Sequence, residues 1–342
     1  MSYNDSYRIF MTLFYRRLFI NLHDYISIRS YKTTTRNPHD EAFGLIKQTP
    51  CRVFCRVFLL QFAKRCAMMK KMTGGKKMRY SFDHDLHIHS QISSCSNHPE
   101  QTTERLLQYA KDNNLSTICL TDHFWDDAVE GASDWYFPQN YDHISKAKPL
   151  PQAEGIRFLF GCETELDKFL KVGISKEKMP LFDFIIIPTT HFHMKDYTLF
   201  LAEIATPEAR AKAWVKRLDA VLDMDLPFHK IGFAHLTCSL LAPTAEEYHG
   251  LLTAIPEEEM ERLFTKIAQK GAGVELNADD MKFKYGKPEN VLKVYKIAKK
   301  CGCKFYMGSD AHTPNELNTA KERFERAIDL LGLKEEDKFH IG

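Results

Sequence analysis

The stretch FDFIIIPTTHFH, residues 182–193, decides how this chain is expected to fold. Its centre, from Phe184 to Pro188, is apolar without alternation. A strand with one face in water alternates apolar and polar side chains. An unbroken apolar run of this length therefore describes a strand covered on both faces, as in the middle of a parallel sheet clothed by helices. Polar residues follow at once: Thr189, Thr190, His191 and, one further on, His193. The buried run thus delivers hydrophilic groups at its C-terminal end.

The same grammar recurs on either side. YSFDHDLHIHS (80–90), LSTICLTDH (115–123) and GIRFLFGCETE (155–165) read as strands before it, and KIGFAHLT (230–237), AGVELNA (272–278) and CKFYMGSDAH (303–312) as strands after it. Helical spacing fills several of the gaps. Leu106, Leu107 and Ala110 share a stripe in TTERLLQYAKDNN (102–114), after a Thr/Glu start. Residues 206–224 begin a helix with Pro207, residues 256–271 end one at Gly271, and residues 288–302 and 314–332 supply two more. This alternation over residues 78–342 predicts an α/β domain, either a seven-stranded barrel or an open parallel sheet. In both architectures chemistry gathers beyond the C-terminal strand ends.

Those ends are where the polar residues crowd. In chain order they carry Asp85, His87 and His89; Asp122 and His123; Glu163 and Glu165; His191 and His193; His235; Glu275 and Asn277; Asp310 and His312. A single histidine is most often a hydrogen-bonded structural or surface residue, and His23, His39, His98, His143, His229, His249 and His340 are read that way. Buried imidazoles and carboxylates are costly unless paired or metal-bound. Their recurrence at every strand end points to one shared device. Alternate residues of a strand project the same way, so His87 and His89 can serve one ion, as can Asp310 and His312. Imidazole with carboxylate suits Zn, Mn or Fe better than Ca or Mg. Glu275 and Asn277 are expected to support the site rather than bind metal, and His84 to be structural.

Charge divides the chain. Residues 1–80 hold 16 Lys and Arg against 4 Asp and Glu, leaving 31 basic and 41 acidic residues beyond them. The acidic balance of the body is a poor match to long nucleic acids. The basic segment mixes aromatics with arginines, as in MTLFYRRLFI (11–20) and CRVFCRVFLLQFAKRC (51–66), without a sustained period. TGGKKM (73–78) can be encoded by a purine-rich stretch of the kind that precedes a translation start. Residues 1–77 are therefore expected to be an extension that is unstructured or untranslated, with the domain beginning at Met78. The nine cysteines are scattered and odd in number. They suggest no disulfide framework and fit a reducing cytoplasm. The pair in CGC (301–303) lacks a second pair and reads as inert rather than as a metal site. No apolar run reaches the ~18 residues of a membrane span.

In order, DLHIHS, TDH, GCETE, TTHFH, AHLT, ELNA and GSDAH resemble the motifs of the polymerase and histidinol phosphatase (PHP) family, across nearly all of residues 80–342. The resemblance implies a distorted (β/α)7 barrel, similar to a TIM barrel, holding two or three divalent ions. It implies His87, His89 and Asp310 for the first ion, Glu163 as the bridge, His191 and His235 for the second, and His123 and His312 for a third. Glu163, Asp310 and His235 are the expected catalytic residues. Where many members place a His or Asp for the third ion, this chain has Ser94 and Cys95. Cys95 is either a thiolate ligand or a neutral packed thiol, and the packed thiol is the favoured expectation. The implied reaction is hydrolysis of a small phosphate monoester by hydroxide shared between two ions. Histidinol phosphate is the leading substrate, with a small phosphorylated metabolite as the general class. Nucleotides or nucleic-acid ends, or a non-catalytic metal-binding module, are the alternatives. Lys282, Lys284 and Lys287 in NADDMKFKYGKP (277–288) are candidate phosphate contacts. Trp125, Trp135, Tyr136 and Phe137 lie in a long loop that suits a lid or binding wall.

Overall fold

The computed structural model describes residues 78–96 and 98–342. The expectations for residues 1–77, including His23 and His39, lie outside the described residues. Among the described residues there are eight strands. They are β1 (His84–Ile88), β2 (Thr117–Leu120), β3 (Arg157–Phe160), β4 (Cys162–Glu163), β5 (Ile185–Pro188), β6 (Ile231–Ala234), β7 (Gly273–Asn277) and β8 (Lys304–Gly308). All neighbouring pairs run parallel, in the orders β1-β2-β3 and β4-β5-β6-β7-β8.

The α-helices of the described residues are α1 (Thr103–Asp112), α2 (Tyr141–Ile144), α3 (Pro207–Asp223), α4 (Ala245–Ala254), α5 (Glu257–Lys270), α6 (Pro288–Lys300) and α7 (Pro314–Leu331). Five were legible as stripes. The one-turn α2 and the α4 segment AEEYHGLLTA were not predicted, and α4 has Gly250 in its interior. Local chemistry sets the ends. Thr102 and Thr206 accept from the Arg105 and Ala209 N–H groups, and Gly271 closes α5 at φ 76°.

The unbroken apolar run behaves as its pattern demands. Ile185, Ile186 and Ile187 are all fully buried, but on different sides. Ile185 and Ile187 join the large layer shared with the helices. Phe184 and Ile186 enter a smaller cluster with Leu86, Cys119, Ala234, Tyr306 and Phe339.

The ladder is not continuous: the expected α/β fold with parallel strands is present, and strand pairing does not close it into a barrel. The predicted third strand splits at Gly161. Its N–H still bonds to Leu120 O on β2, while that of Cys162 bonds to Phe184 O next to β5. A Cβ at Gly161 would lie 2.5 Å from Phe184 O, so the partner switch requires glycine here. Beyond the switch, β2 and β4 communicate through a single bridge, His123 with Glu163. β8 and β1 are likewise joined by one parallel bridge, Ile88 with Ala311, flanked by Asp310 N–H to His87 O (2.7 Å) and His89 N–H to Ala311 O (3.1 Å). Among the described residues no helix is long and apolar enough to cross a membrane.

Candidate metal centre

The C-terminal strand ends converge, and Glu163 stands at their centre, 1 % exposed. Its Oε2 lies 3.3 Å from His87 Nε2, 3.3 Å from His89 Nε2 and 3.2 Å from His123 Nδ1. Its Oε1 lies 3.1 Å from His235 Nε2 and 3.9 Å from His191 Nε2. One carboxylate therefore faces five imidazoles, three on one oxygen and two on the other. Asp310 adds Oδ1 at 3.1 Å from His89 Nε2 and 3.4 Å from His87 Nε2. Among the described residues three sets have ligand atoms close enough to hold an ion: His87, His89, Glu163 and Asp310; Glu163, His191 and His235; and His89, Cys95, His123 and His312.

The rings are aimed from behind. His87 Nδ1 donates to Glu275 Oε1 and His191 Nδ1 to Glu165 Oε2, each at 2.6 Å. Thr190 Oγ1 lies 3.0 Å from His235 Nδ1. An imidazole that donates its outer N–H keeps a lone pair on the inner nitrogen, the state a metal needs. Gly308 makes room for this arrangement. A Cβ there would sit 2.7 Å from His87 Cβ and closer still to the Glu275 carboxylate. Asn277 Nδ2 donates to Glu275 Oε2 (3.1 Å) and Asp310 Oδ2 (3.3 Å), so Glu275 and Asn277 are supports, as expected. Asp85 accepts from the N–H groups of Ser309 (2.9 Å) and His87 (3.3 Å) and from Tyr109 OH (3.0 Å), tying β1 to β8 beneath the centre. His312 is set by the start of α7. Its N–H donates to Glu316 Oε2 at 2.7 Å, in the same capping box that involves Thr313. His235 and Asp310 both have left-handed backbones, at φ 34° and 53°.

Electrostatics match this crowding. Burial opposes ionisation of Glu163, but His123 and His87 hold it well below the carboxylate range. Burial likewise opposes charge on Asp310 and is outweighed by His87 and His89. Burial disfavours a charged His87, yet Asp310, Glu275 and Glu163 raise it to about 10. The inner nitrogens of His87 and His89 sit only 3.1 Å apart. Two imidazoliums would repel at that distance, and two neutral rings would point lone pairs at carboxylates. A divalent cation resolves both conflicts, so the donor set fits the ions that the strand ends suggest.

The other predicted residues divide clearly. His84 is structural, with Nδ1 2.9 Å from Asp83 and Nε2 accepting from Met307 N–H at 3.1 Å. His143 and His249 donate to the carbonyls of Ile92 and Tyr285. His193 lines the cavity over the centre without joining a ligand set, and burial lowers it to about 4. That cavity is about 400 Å³, with Cys95, Trp135, Tyr136, Met194 and Leu240 in its walls. Trp125 is not among them. It is 1 % exposed and donates through Nε1 to Val129 O, and from this loop Trp135 and Tyr136 line the cavity instead. Lys282 lines an adjoining cavity of about 230 Å³ with Arg323, and both cations face Asp279. Lys284 lies elsewhere, 5.5 Å from the Tyr285 ring centre, in a separate narrow cleft. Cys95 overturns the packed-thiol expectation. It is exposed, and its sulfur faces His89, His123 and His312. Partial loss of hydration at the cavity wall opposes ionisation of the sulfur, yet His89 and His123 draw the thiol far down.

Glu165, one of the polar strand-end residues, acts through His191 rather than on the centre itself. Arg217 is the support that the sequence reading misses; it sits among Ala213, Trp214, Leu218 and Val221 on the buried stripe of α3. A cation in an apolar stripe was the available signal.

A parallel α/β fold that gathers five strand-end imidazoles on one buried carboxylate, with Asp310 and His312 beside them, has the build of a metal-dependent hydrolase. The profile of the PHP domain family matches residues 85–279, and the chain belongs to that family, whose class is metal-dependent phosphoesterase. No curated protein matches it in sequence. Among solved structures it is similar to a histidinol phosphate phosphatase from Lactococcus lactis subsp. lactis complexed with Zn, L-histidinol and phosphate. That similarity has 17 % identity and a TM-score of 0.48, over 75 % of this chain and 98 % of that one. A probable 2-pyrone-4,6-dicarboxylic acid hydrolase from Acinetobacter baumannii with citric acid bound shows 13 % identity and a TM-score of 0.35, over 75 % and 97 % of the two chains.

Proposed function

We propose that the protein hydrolyses a small phosphate monoester at a centre of two or three divalent ions, Zn, Mn or Fe, at the mouth of a distorted seven-stranded barrel. The observation that carries this reading is Glu163, with one oxygen facing His87, His89 and His123 and the other facing His191 and His235. His87, His89 and Asp310 would hold one ion, His191 and His235 a second, and Glu163 both; His123 and His312 would serve a third. Ions held there would supply a nucleophile from water at neutral pH and offset the charge of the phosphate. The chain's own contribution is positioning. Glu275 and Glu165 fix two imidazoles, and buried Glu163 keeps one negative charge between the two ligand sets. Trp135, Tyr136, Met194 and Leu240 offer an apolar wall to the organic part of a substrate, in a cavity of small-molecule size. Lys282 and Arg323 offer positive charge in the adjoining space.

Histidinol phosphate is the first substrate to try, on the resemblance of the ordered motifs; the reducing cytoplasm is the proposed setting. The test is a panel of phosphorylated metabolites, nucleotides and short oligonucleotides, assayed with Zn, Mn or Fe(II) alongside metal analysis. Turnover of one small monoester with two or three ions per chain is expected. Preference for nucleotides or nucleic-acid ends would shift the substrate class. Stoichiometric metal with no ester hydrolysed would replace the enzyme reading by a metal-binding module.

The same reading predicts what chelation does to the fold. The single bridges Ile88–Ala311 and His123–Glu163 lie among the proposed ligands. Ions bound across them stabilise the native state by mass action. Amide exchange at His89 and Asp310 is expected to accelerate on metal removal, while the interior of β5 and β6 stays protected. Equal protection with and without metal would detach the ions from these joins.

A further inference from the structure

We propose that Cys95 joins His123 and His312, beside His89, in a thiolate–imidazole site that takes zinc, ferrous iron or cobalt and discriminates against manganese and magnesium. This rests on the metal-centre reading above and assigns one of its positions a different chemistry.

The sulfur is placed by a built loop rather than by chance exposure. Asp122 accepts from both the N–H and the Oγ of Ser90 at 2.7 Å, anchoring the loop where it leaves β1. Ser93 N–H returns to Ser90 O and Ser96 N–H to Ser93 O, winding residues 90–96 into two successive turns. Each turn is stapled to a different ligand-bearing segment. Ser93 Oγ accepts from His123 N–H at 3.3 Å and lies 3.2 Å from Cys95 Sγ. Ser96 Oγ donates to His312 O at 2.6 Å. Ser94 N–H donates to Gln139 Oε1 at 2.9 Å, holding the outer side. Cys95 is thus suspended between His123 and His312, whose rings lie on His89 at centroid distances of 4.7 and 4.5 Å. A second observation points to a ligand here: His89 Nδ1 is buried with no hydrogen-bond partner among the described residues.

The chemistry separates this position from its neighbours. The other two sets contain Glu163 or Asp310 with imidazoles and no sulfur. Thiolate favours borderline and soft ions, whereas carboxylate and water suit manganese and magnesium. On binding, the S–H bond breaks, a sulfur–metal bond forms and one proton passes to solvent, with no change of oxidation state.

The experiment uses the full chain freed of metal and titrated with cobalt(II). Wild type is expected to develop a near-ultraviolet thiolate-to-cobalt charge-transfer band that Cys95→Ser lacks, with one ion fewer per chain. Cys238, buried beside His235, is the competing sulfur, and Cys238→Ala is expected to keep the band. In parallel, zinc should slow iodoacetamide labelling of Cys95 by about tenfold or more, and manganese should leave it within about twofold. A band that survives Cys95→Ser, or three ions bound without any sulfur band, would overturn this inference and leave the metal centre standing. Failure to bind any ion would overturn both. Circular dichroism of Cys95→Ser checks that the fold is retained.

Discussion

Glu163→Gln is expected to lower phosphoesterase turnover by about three orders of magnitude or more while the fold survives. The substitution keeps the shape and one oxygen but removes the charge that sits between five imidazoles. Oε2 is within 3.3 Å of three ring nitrogens and Oε1 within 3.9 Å of two, so neither oxygen is spare. An amide NH₂ in either position would present hydrogens to nitrogens that need to present lone pairs. Two ligand sets lose their shared member together, and metal content per chain should fall with activity. The apolar layers contain no part of Glu163, and unfolding of the metal-free variant should resemble that of metal-free wild type. A variant that kept more than about a tenth of wild-type turnover would remove Glu163 from the bridging role.

Arg217→Met should cost about 3–5 kcal/mol of stability, the range for breaking a buried charged network from one side. Arg217 is 1 % exposed and spends its donors on backbone. Nε reaches Thr189 O at 2.9 Å, one terminal nitrogen reaches Leu166 O at 2.6 Å, and the other reaches Asp167 O at 3.2 Å and Thr198 O. The guanidinium also lies 3.9 Å from Glu165, the carboxylate that aims His191. Methionine fills most of the volume but takes the donor from the Thr189, Leu166 and Thr198 carbonyls, while Asp167 O keeps Leu170 N–H, so the loss comes from polar groups rather than a cavity. The segments it holds precede and follow His191, so the affinity for the ion proposed at His191 and His235 should weaken as well. Urea unfolding with and without zinc measures both effects. A loss below about 1 kcal/mol would mean that water or relaxed backbone replaces the guanidinium.

The parts of this protein legible in the sequence are those governed by local periodicity. FIIIP announced a strand buried on both faces because no alternation survives there, and polar residues at successive strand ends announced a site because each breaks an apolar run. Helix ends with Thr caps, Pro207 or Gly271 were legible for the same reason: capping is a short-range affair. What escaped depends on long-range partners. The switch of partners at Gly161 is set by Phe184, distant in sequence. Trp125 and Trp135 lie in one loop, and only tertiary packing turns one into the core and the other towards the cavity. Arg217 reads as an ordinary charge until the carbonyls it serves are brought beside it, and that Glu165 aims His191 shows only once the two strand ends meet. Cys95 was misjudged because its environment is assembled from three separate strand ends.

The left-handed backbones of His235 and Asp310 restrict what could ever replace them. A non-glycine residue held at positive φ costs on the order of 1–3 kcal/mol, and among residues with side chains Asn, Asp and His bear it most readily. Glycine would relax the chain there but would bring no ligand. Glutamate and cysteine could ligate, but they resist the turn. The residues able to satisfy both the backbone and an ion at these two positions reduce to a list of about two or three, and the chain uses one of each kind: an imidazole at 235 and a carboxylate at 310. At His87 and His89, neither of which has a left-handed backbone, the chain imposes no such filter. Substitution libraries at the four positions are therefore governed by different rules, conformational and chemical at two of them and chemical alone at the others.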